Sequence, residues 1–397
     1  MNEIYLDNNA TTRVAPEVLD EMLPVLRDHY GNPSSMHSFG GGVGALLKKA
    51  RERTAEALSC RPDEIVFTSC GTEGDNTAIL SALRANPDKK HMVTTRVEHP
   101  AVLNLAKHLE TRGVEVTYLG VDDAGRLDLD ELRRSLRKDT AVVSVMYANN
   151  ETGVVFPVPE IADMVRRRGI LFHTDAVQAV GKIPISLADL PADFLVLSGH
   201  KLHAPKGVGA LYVRRGTPFR PFLIGGHQER GRRAGTENTP GIVALGKAME
   251  LAAMGIVDEN TRVRALRDRL EAGLLSSIPD SVRNGDPDNR LPNTTSIAFK
   301  YVEGEAILLL LDTFGICASS GSACTSGSLE PSHVLRAMGV PFTYAHGSIR
   351  FSLSRYTTDA DVDAVLREMP GIIARLREMS PFSAATGDAG GKPACTR

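Results

Sequence analysis

Cysteine is scarce in this chain: Cys60, Cys70, Cys317, Cys324 and Cys395 are scattered over 397 positions, with no C-x-x-C pair among them. An odd, dispersed set argues against a disulfide framework and against a zinc site, and it leaves room for one reactive thiol. A surplus of one charge is also missing. Forty-six Lys and Arg against 48 Asp and Glu leave a net charge of −2, too balanced for a protein whose main partner is a nucleic-acid backbone. Long apolar runs are absent as well. The most apolar stretch, Ala306 to Leu311, is bounded by Glu305 and Asp312, well short of the roughly 18 residues of a membrane span. The opening residues, Met1 to Asp7, show no basic cluster leading into an apolar stretch, so no secretory signal is expected and a cytoplasmic location is. No internal repeat is visible. What remains, 42% hydrophobic and 24% charged residues with only 5% aromatic, is an ordinary globular composition. The length suffices for two or three domains with large cores that need no disulfide or structural metal.

From about residue 60 to 215, short apolar segments alternate with amphipathic ones. Strands are predicted at Glu64 to Thr68, His91 to Thr94, Glu115 to Tyr118, Ala141 to Met146, Leu171 to Thr174, Phe194 to Leu197 and Ala210 to Val213. Helices are predicted at Ala101 to Thr111, Asp128 to Leu136 and Val158 to Arg168. This alternation implies an α/β fold with a mainly parallel seven-stranded sheet covered on both faces. A basic, glycine-rich loop from Gly225 to Thr236 follows, then a long helical region from about Ile242 to Leu275. Beyond it, strands at Asn293 to Phe299 and Ser348 to Leu353 and a last helix from Thr358 to Met379 read as a smaller α+β domain. The expected division is 15–260 for the large domain, 1–14 with 261–380 for the small one, and 381–397 as a polar, glycine-rich tail expected to be disordered.

Chemistry concentrates where these strands end. Asp175 and Lys201 each follow the carboxyl end of a predicted strand, the place where open α/β sheets put their ligand sites. An amine beside a carboxylate there suits pyridoxal phosphate, which needs a lysine for its Schiff base and an anion to keep its ring nitrogen protonated. The turn Thr68-Ser69-Cys70-Gly71-Thr72, running from a strand into a helix, offers amides and a hydroxyl to a phosphate, though the same residues also make an ordinary helix cap. His99 follows another strand, where a flat imidazole could stack on the cofactor and move protons. Cys324 lies in a run of small polar residues from Ala318 to Ser328, read as a mobile loop displaying a thiol.

Assembled, these segments resemble a known family over Tyr5 to about Pro381: the pyridoxal-phosphate-dependent cysteine desulfurases, closest to the NifS type that serves nitrogenase metallocluster assembly, within the class V aminotransferase-like enzymes. The resemblance rests on Leu6 to Thr12, Gly31 to His37, Glu98 to Val102, Asn149 to Gly153, the Asp175 and Lys201 segments, Arg233 to Asn238, Ser322 to Cys324 and Ile349 to Leu353. It implies a fold-type I architecture, a homodimer, and conversion of L-cysteine to L-alanine with the sulfur left as a persulfide on Cys324. An iron-sulfur scaffold protein would take that sulfur, and Cys324 could ligate a cluster transiently.

By the same resemblance, Lys201 would carry the cofactor, Asp175 would face its ring nitrogen and His99 would be the stacked acid/base. Gln178 and Asn150 would contact the ring and its surroundings. Gly71, Thr72, Ser198, Gly199 and His200 would hold the phosphate, and Thr236 would reach the phosphate of the neighbouring subunit. Arg350, with Asn150, would bind the substrate carboxylate, a task suited to a planar bidentate fork. One departure is Gly74, where the family more usually has Ser, which would leave the phosphate one hydroxyl short. An aminotransferase or selenocysteine lyase on the same scaffold is the rival enzyme reading, and a non-catalytic assembly scaffold is the rival of another class. The loop thiol argues against a transaminase, and Lys201, Asp175 and Cys324 together argue against the scaffold.

Overall fold

The computed structural model describes residues 3–320 and 331–380. Thirteen strands run through them: β1 (Ile4–Tyr5), β2 (Ile65–Thr68), β3 (His91–Thr95), β4 (Glu115–Leu119), β5 (Thr140–Ser144), β6 (Leu171–Asp175), β7 (Phe194–Ser198), β8 (Gly209–Val213), β9 (Ser281–Arg283), β10 (Thr294–Phe299), β11 (Ile316–Cys317), β12 (Ser319–Ser320) and β13 (Ser348–Ser352). Seven of them form one sheet in the order β2-β8-β7-β6-β5-β3-β4. Its strands from β4 to β7 pair in parallel, while β8 is antiparallel to both β7 and β2. The reversal has a local cause: Gly199 to Val208 joins β7 to β8 without a crossover helix, and parallel neighbours need one. Two antiparallel steps restore direction, so β2, β3, β5, β6 and β7 all present their carboxyl ends at one edge.

The central strands are buried along their whole length because helices cover both faces. On one side the helix Gly71–Ala85 packs across β5 to β8, with Ala78, Ile79 and Ala82 in a cluster that includes Val66, Val142, Val196 and Leu211. A second four-stranded antiparallel sheet, β12-β13-β10-β9, has its own apolar cluster, to which Leu6 of the N-terminal segment belongs. That segment ties distant parts of the chain together: β1 pairs with β11, and Asp7 bridges to Ser352.

Two helices, Pro16–Arg27 and Ser38–Ala57, were not expected. The second opens with Gly40, Gly41, Gly42 and Gly44, which hide its apolar spacing, and both pack on Thr239–Asp258. That contact is close: a Cβ at Gly246 would lie 2.6 Å from Ala50 Cα. The predicted helix from Ile242 to Leu275 is interrupted by a π turn at Glu259–Val263. The helical run Thr239–Ser277 is long and apolar enough, by length and composition, to cross a membrane. Its Ile242, Val243, Leu245 and Met249 are nevertheless buried inside the protein.

Candidate active site

A cavity of about 590 Å³ opens at the carboxyl edge of the large sheet. Asp175 at the end of β6, Ser198, His200 and Lys201 just past β7, Gly71 and Thr72 past β2, His99 past β3 and Asn150 past β5 all line it, as do Gln178 and Arg350. Twelve of the predicted positions therefore have known places: ten face one space, and Gly199 and Thr236 do not. A Cβ at Gly199 would meet Val208 and Ala204 at 3.0 and 3.1 Å, so this glycine serves the tightness of the turn. Thr236 lies in a separate depression with Thr68, Ser69 and Gly207. Cys324 and Cys395 lie outside the described residues.

The lysine turn is held by the N-terminal segment. Lys201 Nζ donates to the carbonyls of Asn9 at 2.5 Å and Ala10 at 2.6 Å, and Thr12 N donates to His200 O. Asp175 accepts the amide of Val177 at 2.9 Å. Burial pushes its carboxyl upward, against the pull of His99, the Val177 amide and the Lys201 charge. His99 Nδ1 accepts the amide of Ala101 at 3.2 Å, so a neutral ring carries its proton on Nε2. Burial holds this ring below the usual imidazole range, which favours that neutral form. His200 is pushed down to about 4, by burial first and then by neighbouring lysines.

An anion site stands at the start of the helix Gly71–Ala85, whose cap residue Cys70 supplies no side-chain hydrogen bond to the first amides. The backbone is close here, since a Cβ at Gly71 would lie 3.0 Å from Val177 Cγ2. Uncapped amides at a helix N-terminus, beside Thr72 and Ser198, suit a phosphate. Position 74 is different from the expectation. A Cβ there would lie 2.7 Å from Val196 Cγ1, so the helix turns this position onto β7 and a serine would bring no hydroxyl to the phosphate. Amine, buried carboxylate, imidazole and anion cradle together fit pyridoxal phosphate.

Arg350 donates to Asn150 O at 2.9 Å and to Asp7 at 2.7 Å, while its Nε is buried without a partner among the described residues. Several groups at the site escaped sequence reading. Asp75 lines the cavity, and its Oδ1 lies 3.3 Å from His173 Nε2. His173 precedes Asp175 by two residues and shares its face of β6, a spacing that could have pointed to it. Glu98 is pushed up to about 8 by burial despite bonds from Thr95 and the Met146 amide. Glu151, bonded to Ser332, is pushed up to about 7 by burial.

A model of the class-V aminotransferase family matches residues 4–365. The chain belongs to this family. It is 65% identical over 382 residues to a cysteine desulfurase of Trichormus azollae, covering 96% of each chain. It is 61% identical over 388 residues to the cysteine desulfurase NifS of Azotobacter vinelandii, covering 98% of this chain and 96% of that one. A solved NifS-like protein superposes with a TM-score of 0.89 at 40% identity, over 94% of this chain and all of the other. Within the family the chain is thus a pyridoxal-phosphate-dependent cysteine desulfurase.

Proposed function

We propose that the cavity converts L-cysteine to L-alanine with Lys201, Asp175, His99 and Arg350 as its working residues, and that Cys324 carries the sulfur away as a persulfide. The observation that carries this reading is the convergence of Lys201 and Asp175, from the ends of two adjacent strands, on one cavity beside an uncapped helix start. Bound pyridoxal phosphate supplies an electron sink for charge left on the substrate α carbon. Lys201 Nζ would take the α proton of the substrate and return it to the product. Arg350 presents its unpartnered Nε to the substrate carboxylate, with its fork already oriented by Asp7 and Asn150. His99 would hold a proton at Nε2 within the cavity.

Cys324 gives up its proton and attacks the substrate sulfur. An S–S bond forms, the C–S bond breaks with its electron pair passing to carbon, and protonation there yields alanine. No outside oxidant is needed, because carbon is reduced as sulfur is oxidised. We assign nitrogenase metallocluster assembly as the use of this sulfur, on the likeness to the Azotobacter protein, and an iron-sulfur scaffold as the acceptor.

Lys201→Ala should remove the visible absorption of bound cofactor, and borohydride should no longer fix the cofactor to the chain. Fixation at the wild-type level would remove Lys201 from its role.

We also propose a homodimer in which Thr236 completes the partner's phosphate site. Support comes from its absence from the cavity of its own chain and from the exposed Ile224, Leu223 and Phe222 before its loop. Mixing Thr236→Ala chains with Lys201→Ala chains should restore activity, because one composite site then carries neither lesion. No recovery after proven subunit exchange would mean that each site is built from one chain.

A further inference from the structure

Lys182 is 6% exposed, deep behind the cavity, and none of the steps above uses it. Burying a lysine this fully is costly unless its ammonium is hydrogen-bonded, and here two bonds go to residues that line the cavity. Lys182 Nζ donates to Gln178 Oε1 at 2.7 Å and to Asn9 Oδ1 at 3.2 Å. Gln178 Nε2 in turn donates to the carbonyl of Asn9 at 2.9 Å, the same carbonyl that accepts from Lys201. These contacts leave the Gln178 amide no choice of orientation. An ammonium offers only donors to its neighbour and a backbone carbonyl only acceptors, so with Lys182 charged the oxygen of Gln178 faces Lys182 and its nitrogen faces Asn9. One N–H of Gln178 is left for the cavity that the residue lines.

We propose that Lys182 is a positioning residue that fixes Gln178 as a hydrogen-bond donor toward the cofactor and places a positive charge behind Lys201. This rests on the pyridoxal phosphate reading given above. A second cavity, of about 70 Å³, lies behind Lys201 and is lined by both lysines and by Glu259 at the start of the π turn. The π turn also grips the lysine from its backbone side, since Asn260 Nδ2 donates to Lys182 O at 2.8 Å. Such turns interrupt helices most often at functional sites. The charged groups around Lys182 are Lys201 and His203 after β7, Asp258 and Glu259 at the helix end, Arg350 on β13, and Arg355. Burial pushes Lys182 down to about 7, assisted by the Lys201 charge and opposed by Glu259. Its charge therefore changes across neutral pH.

Holoenzymes of wild type, Lys182→Met and Lys182→Gln are titrated through neutral and alkaline pH by the visible absorption of cofactor joined to Lys201. Losing a nearby cation and a fixed donor should raise the proton affinity of that linkage about tenfold, moving the midpoint up by about one pH unit. In a Gln178→Ala background the Lys182→Met shift should shrink, because part of it is transmitted through Gln178. An unmoved midpoint in variants that still bind cofactor overturns the proposal, as do equal shifts in both backgrounds. Should neither lysine variant fold, the side-chain amide resonance of Gln178 in the wild-type enzyme, assigned by its loss in Gln178→Ala, should titrate near neutral pH; a flat response overturns the pairing. If wild type itself neither binds pyridoxal phosphate nor shows the band, the cofactor reading fails, while the amide titration still tests the contact between Lys182 and Gln178.

Discussion

Two groups of buried carboxyls in this protein meet opposite fates. Glu271, on the helix Arg264–Ser277, receives two hydrogen bonds from Arg290, one from Arg283 at 3.1 Å and one from Thr295 at 2.6 Å. Burial alone would raise it, but the arginines and the hydroxyl hold it down at about 2. Asp75, Glu98 and Asp175 are equally buried at the end of the large sheet, yet the bonds reaching Glu98 and Asp175 come from a hydroxyl and backbone amides. Burial wins there, and all three rise, with Asp175 adding to the burden on Asp75 and Glu98, and Glu98 to that on Asp75. The first arrangement locks an ion to stitch Arg264–Ser277 to β9 and β10. The second leaves protons undecided until something cationic enters, as a site meant to receive a protonated ring requires.

The sharpest way to break this contrast is Glu271→Ala. It strands Arg290, whose side chain is 7% exposed, and should cost about 3–5 kcal/mol in denaturant unfolding. A loss well under 1 kcal/mol would mean the ion pair is not holding the helix to the sheet. The same carboxyl predicts an acid limb. Because its folded pKa is depressed, its contribution of about 3 kcal/mol is present above the ordinary value of 4.5 and fades as pH falls toward about 2. Glu271→Gln should flatten stability across that window. The smallest effect is expected at Asp75→Asn. Burial pushes this carboxyl upward and so favours its neutral form, which an amide of the same shape matches, so stability should stay within about 1 kcal/mol and the cofactor band should persist. A large loss would show Asp75 to be an ion like Glu271.

Much of the cofactor site was legible because β-strand ends announce themselves: apolar runs stop abruptly at Thr174-Asp175 and at Ser198-Gly199, and ligands gather where parallel strands stop. All seven strands of the large sheet fall within two residues of their expected bounds. The groups behind that front row were not legible. Asp75 sits on a helix whose weak amphipathic pattern does not mark it, and Lys182 reads in sequence as one more lysine near a turn. Only the fold shows that Asn9, 173 residues before Lys182 in the chain, stands between it and Lys201. Gly74 misled for a related reason: a motif gives spacing, whereas the direction a side chain takes from a helix depends on what lies beneath it.

The N-terminal strap has a consequence for how the enzyme comes into being. Ile4 and Tyr5 emerge from the ribosome long before their partners Ile316 and Cys317, and Asp7 waits for Ser352. The carbonyls that seat Lys201 belong to Asn9 and Ala10, so they cannot be in place until nearly the whole chain has been made. Contacts so far apart in sequence form late, because closing long loops costs entropy before any contact repays it. A nascent chain can thus complete its large sheet while the lysine seat is still open. Cofactor capture is thereby expected late, once the N-terminal segment has closed over the lysine turn.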